Sequence, residues 1–255
     1  MAIDTGMDTD MNTGRDTEAS PPAAPGDHPQ PPDGARSLLR LLSWLSPSFP
    51  VGAFSHSHGL EQVISREVIR DGETAFSWIS ALLEFGGGWS DAVLLKEAFQ
   101  AARAGDGARL QATAELAEAL CPSAERLRET QDQGQAFLTA AATWATATAA
   151  SPPPLAAAPY PVAVGLCAAA AGAPLGDVLL AYLHAFASNL VTIAVRAVPL
   201  GQTAGITVLA RLEDTLIATA VRAAASTLDD LGGCALASDV ASMGHETLET
   251  RIFIS

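Results

Sequence analysis

Apolar residues recur along this chain at helical spacing, and no stretch of any length alternates as a strand does. Leu38, Leu41, Leu42 and Leu45 fall at i, i+3, i+4 and i+7 and predict an amphipathic helix over 36–46, ended by Pro47. Leu60, Val63, Ile64 and Val68 supply the stripe of a second helix, which Asp71-Gly72 closes with a turn. Helices over 74–85 and 90–104 follow, divided by Gly86-Gly87-Gly88, and another is expected over 108–120. The next, over 123–148, has a polar first half, AERLRETQDQGQ, and an alanine-rich second half, so it is expected to project before it buries. Pro152-Pro153-Pro154 reads as a stiff extended linker. From Tyr160 the chain is strongly apolar, with helices over 162–171, 175–198 and 205–228 and a short one over 239–243. The pattern predicts an all-α protein: a single-domain helical bundle of about nine to ten helices over 36–255.

Residues 1–35 break this pattern. They are rich in Asp, Thr, Gly and Pro, hold too little apolar surface to offset ordering entropy, and are expected to be disordered, His28 included. Nothing there resembles a basic-then-apolar signal peptide, which argues for the cytoplasm. The chain carries a formal charge of −14, which does not suit phosphate backbones and excludes nucleic-acid binding. Lys96, the only lysine, follows Leu95 and not glycine, so there is no Walker A phosphate loop. A membrane reading competes with the bundle. Asp177 and Arg196 bracket 18 uncharged residues, enough to span a bilayer, though Tyr182, His184, Ser188, Asn189 and Thr192 interrupt them. No basic cluster sets an orientation, and a buried core helix is the better reading.

The inventory of catalytic chemistry is short. Cys121, Cys167 and Cys234 lie far apart and read as small hydrophobes, GxSxG and HExxH are absent, and His56 and His58 are two ligands, which do not make a metal site. His245 and Glu249 would share a helix face without a third ligand. No catalytic residue, metal site or cofactor is assigned. This favours a binding protein, with an enzyme of unrecognised site as a further alternative. The one polar point in the apolar half is an elbow: Arg196, Pro199, Gly201 and Gln202 between two helices, with Gly201 expected at positive φ. Arg196 is expected to meet the last carbonyls of its own helix, and Gln202 is either a cap or a surface group awaiting a partner.

Three segments in this order resemble the UreF family of urease accessory proteins: SPSFPVGAFSHSHGLE at 46–61, YLHAFASNLVTIAVRAVPLGQTAG at 182–205 and SMGHETLETRIFIS at 242–255. The likeness covers about 36–255. It implies an all-helical, non-catalytic helper of nickel urease. Such a helper binds the UreD/UreH accessory protein, forms a homodimer within that complex, and recruits the GTPase UreG to deliver nickel to apo-urease. Ser55, His56, His58, Glu61, Gln202, Met243, His245, Glu246, Arg251 and Phe253 fall on the family's motifs and are expected to serve partner binding. His56 stands where tyrosine is more usual, and Gly244 and Ile254 replace two arginines of the usual tail. The tail from 244 to 255 is expected to order only on UreD/UreH.

Overall fold

The computed structural model describes residues 1–2, 34–144, 155 and 158–254. Most of the segment expected to be disordered, the expected triple-proline linker and the end of the expected 123–148 helix lie outside them. The chain divides into two units, Met1–Asp33 and Gly34–Ser255, and the fold below is that of the second.

Among the described residues there are eleven α-helices and no strand. They are α1 (Ala35–Trp44), α2 (Leu60–Ser65), α3 (Gly72–Phe85), α4 (Gly87–Ala104), α5 (Gly107–Ala119), α6 (Ala124–Ala141), α7 (Tyr160–Ala170), α8 (Leu175–Ala197), α9 (Gln202–Arg211), α10 (Glu213–Ala225) and α11 (Leu236–His245). Three of the starts follow side-chain chemistry. Asp71, Asp106 and Ser123 accept backbone N–H groups of the first turns of α3, α5 and α6.

The core is built on α4, α7 and α8. On α4, Ala92, Val93, Leu95, Ala98 and Ala101 are fully buried, as are Val162, Ala163, Val164 and Ala168 on α7. The α7 helix is apolar on every face and must be enclosed on every side. The contact between α4 and α7 depends on Gly165, where a Cβ would lie 2.5 Å from the Leu95 carbonyl oxygen. Even polar residues of α4 are drawn inside. Lys96 is buried and donates from Nζ to the Ser226 carbonyl at 2.7 Å, capping the end of α10. The α8 helix is long and apolar enough to cross a membrane, but it packs against α1, α2, α3, α4, α7, α9 and α10.

Several expectations are corrected. In α1 the inward line runs through Ser37, Leu41 and Trp44, which leaves Leu38 and Leu42 exposed. The large indole, not the leucine count, sets the rotation of that helix. α2 stops at Ser65, and Val68 lies outside it and exposed. The helix expected over 205–228 is two helices. At Leu212 the amide is shared between the carbonyls of Val208 and Leu209, a local tightening at a fully buried joint. The polar half of α6 does not project: Glu129, Thr130 and Gln133 are buried.

Gly165→Ala tests the close helix contact. Alanine is the better helix former by ~1 kcal/mol, yet the added methyl should destabilise the protein by about 1–3 kcal/mol through overpacking. A urea midpoint at or above that of the unmodified chain would remove Gly165 from this role.

Candidate functional site

The loop between α1 and α2 turns the polar residues of the first motif inward. Gly52 and Gly59 adopt φ of 76° and 74°, and His58 between them takes the left-handed region at φ 54°. A Cβ on Gly59 would lie 2.7 Å from the Ser242 amide nitrogen, so only glycine lets α11 approach here. This double turn sends His56, His58 and Glu61 to the interior and leaves Phe54 exposed.

His56 and His58 converge on Glu129 of α6. Nε2 of His58 lies 3.1 Å and Nδ1 of His56 3.9 Å from its carboxylate oxygens. Arg126 reaches the same carboxylate at 2.6 Å and Gln133 donates to it at 3.0 Å. Burial by itself would raise the Glu129 pKa, but Arg126 and the histidines overrule it and hold it at about 2. Burial, followed by repulsion from Arg126, lowers His58 to about 3, so a neutral imidazole meets Glu129. Asp91 accepts the Tyr182 hydroxyl at 2.9 Å, and burial raises its carboxyl to about 6 against the pull of Arg126. Phe49, Phe54, His58, Asp91, Arg126 and Tyr182 line a cavity of about 110 Å³. Among the described residues no cluster of three or more His, Cys, Asp or Glu is set to hold a metal ion.

The third motif forms a second knot beside the first. Glu61 accepts the backbone N–H of Ile252 at 2.7 Å and of Phe253 at 3.0 Å. His245, with no exposed surface, lies between Glu61 (Nε2, 3.1 Å) and Glu125 (Nδ1, 2.7 Å). Arg251 donates to Glu125 at 2.7 Å. Glu246 accepts the amides of Ala124 and Glu125 at the positive end of the α6 dipole. Ile254 donates its amide to the Ser55 carbonyl at 2.8 Å. The tail is therefore docked on its own chain, contrary to the expected order only on a partner. Burial of Phe253 and the bonds to Ser55, Glu61 and Glu125 supply the constraints that the sequence did not display.

The second motif closes the knot. Arg196 reaches across to the Phe54 carbonyl at 3.2 Å and stands over the Phe253 ring, its Cζ 5.0 Å from the centroid. It ties loop to tail and does not cap its own helix as expected. Asn189 donates to the His56 carbonyl at 3.3 Å. Gly201 has φ −68°, so the expected positive φ is corrected, and the turn tolerates a side chain. Pro199, Gly201 and Gln202 are exposed, apart from the knot. Of the ten residues on the family's motifs, His56, Glu61, His245 and Phe253 are buried. Ser55 and His58 are half-buried, while Gln202, Met243, Glu246 and Arg251 are exposed. Sequence reasoning missed Asp91, Glu125, Arg126 and Glu129. The signal was there in α6, where Glu125, Glu129 and Gln133 recur every four residues on one face.

Fold and site together define an all-helical protein whose buried charges hold loop, tail and helix in register. The UreF family model matches residues 69–213. The urease accessory protein UreF of Rhodopseudomonas palustris (strain BisA53) is 50% identical over 224 residues, which cover 87% of this chain and 94% of the relative. The protein of the same name from Cereibacter sphaeroides (strain KD131 / KCTC 12085) is 50% identical over 85% of this chain and 98% of its own length. That of Mesorhizobium japonicum (strain LMG 29417 / CECT 9101 / MAFF 303099) is 49% identical over 86% and 96%. The chain belongs to the UreF family.

Two substitutions test the polar interior. Glu129→Gln removes the carboxylate charge that the buried Arg126 pairs with directly and should cost about 3–5 kcal/mol. Asp91 acts with the opposite pH sense to Glu129 and His58. Its raised pKa stabilises the fold fully below about 4, and that contribution is lost as pH rises through about 6. Those of Glu129 and His58 are complete above 4.5 and 6.5 and are lost as pH falls towards 2 and 3. Asp91→Asn should therefore gain on the unmodified chain by the order of 2 kcal/mol as pH goes from 4 to 7. Urea midpoints across that range would show it, and a pH-independent difference would contradict it.

Proposed function

We propose that this chain is a non-catalytic accessory protein for maturation of nickel urease. It binds the UreD/UreH accessory protein, pairs with a second copy in that complex and recruits the GTPase UreG, so that nickel reaches apo-urease. It acts in the cytoplasm. The observation that carries this reading is near-50% identity over almost the whole length of relatives named urease accessory protein UreF. The absence of a Gly-Lys-Ser/Thr phosphate loop fits a division of labour in which a partner hydrolyses GTP.

The knot supports a division among the motif residues. His56, Glu61, His245 and Phe253 lie inside and fix the shape of loop and tail. Met243, Glu246 and Arg251 stand at the surface, with Phe54, Ile252 and Ile254 exposed around them. Apolar groups beside charges suit a protein interface better than open solvent. Gly244, where the family more often has arginine, sits against Gln62, whose side-chain amide would be 3.0 Å from an added Cβ. That segment therefore meets its partner with less positive charge.

In a urease-producing host, removal of 252–255 or the Arg251→Ala change should abolish co-purification of UreD/UreH and lower urease activation at least about tenfold, the factor that ~1.4 kcal/mol represents. Helicity should be retained. Unchanged co-purification would defeat the tail as an interface.

Gln202→Ala probes a different surface. Its side chain is exposed at the first turn of α9, so thermal stability should hardly move while urease activation falls. A stable, fully active variant would remove Gln202 from any interface. Fractionation addresses the membrane alternative. The protein should remain in a high-speed supernatant without detergent, and recovery only with detergent would favour α8 as a membrane segment.

A further inference from the structure

We propose that the C-terminal tail is held by a proton-dependent latch centred on His245, closed while the imidazole carries both ring protons and loosened when it loses one. The geometry imposes this. Nδ1 lies 2.7 Å from Glu125 and Nε2 3.1 Å from Glu61, and both partners are carboxylate oxygens. An ionised carboxylate only accepts, so both nitrogens have to donate, which only the imidazolium does. A neutral ring would turn one lone pair towards an oxygen lone pair at a position with no exposed surface, where no water replaces the lost bond.

The charges around the ring agree with a cation there. Glu61 from α2 and Glu125 from α6 contribute two negative charges, and Arg251 of the tail pairs with Glu125 alone. Glu246 is engaged by the amides at the start of α6, and Arg128 lines the outer cleft beside Glu125 and Arg251. Glu129, one turn along α6, has Arg126. His245 is thus the positive charge that Glu61 has beside it. The link to the tail is direct, because the same Glu61 carboxylate receives the Ile252 and Phe253 amides. When the ring turns or retreats from Glu61, the group that holds the tail backbone loses its anchor. The latch is closed while the ring donates to both carboxylates and opens as pH rises and one ring proton is lost.

Amide hydrogen exchange of the full chain reads the latch at Ile252 and Phe253. Rates in the peptide spanning 248–255 are divided by those of the same sequence as a free peptide, from pH 6 to pH 9. Protection should fall at least about tenfold across this range. His245→Gln, which stays neutral, should give low protection that does not vary with pH. Glu125→Gln lets a neutral ring satisfy both neighbours, since an amide both donates and accepts. Its tail should stay protected with no pH dependence. Constant protection in the unmodified chain, or a parallel fall in His245→Gln, would overturn the latch. If His245→Gln loses its helical circular dichroism, Glu125→Gln decides alone, and retention of the unmodified chain's slope there would refute the proposal.

Discussion

Glu129 carries its charge where almost no water reaches, and most of the arrangement around the first motif follows from that. A buried carboxylate without partners would cost several kcal/mol and would become protonated instead. Arg126, Gln133, His56 and His58 prevent this, and each comes at a structural price. The histidines reach Glu129 because the chain turns left-handed at His58 and Gly59. That turn brings α11 down onto α2, and α11 then delivers His245 to Glu61 and Glu125. One carboxylate on α6 thus accounts for the path of a loop, the seat of a helix and the start of the tail.

The helical class, and most helix positions, were legible because period and punctuation are local properties. Proline, glycine and capping Asp or Ser stand where the helices change. What was not legible depends on partners distant in sequence. The polar face of α6 looks solvated until the loop histidines and Arg126 are placed around it. The exposed leucines of α1 look like a core stripe until Trp44 claims the interior. Arg196 sits where a helix-capping cation belongs, and only the tail's arrival shows why it points to Phe54 and Phe253 instead. Three separated motifs were visible as a resemblance. Their meeting through Glu61, Asn189 and Arg196 was not, since no spacing rule links residues more than a hundred positions apart.

Small residues set the rest of the architecture. Gly165 lets α7 lie against the backbone of α4, and Gly205 lets α9 lie against the Val195 side chain of α8. Such contacts bring helix axes closer than a larger residue at the glycine would permit, and dispersion forces that involve the glycine backbone replace those between two side chains. The alanine-rich composition is the sequence-level trace of that packing.

Lys96 has a practical consequence. It is the only lysine side chain in the sequence, and it is buried against the Ser226 carbonyl. Amine-directed reagents will therefore find no exposed lysine on the helical unit. A cross-linking map of its assemblies based on lysine chemistry would leave its surfaces blank even where neighbours touch them. Carbodiimide coupling through its many carboxylates, or arginine-directed dicarbonyls, would trace those surfaces instead. Lysine acetylation or ubiquitin attachment would likewise have a single acceptor side chain, reachable only after α4 and α10 separate.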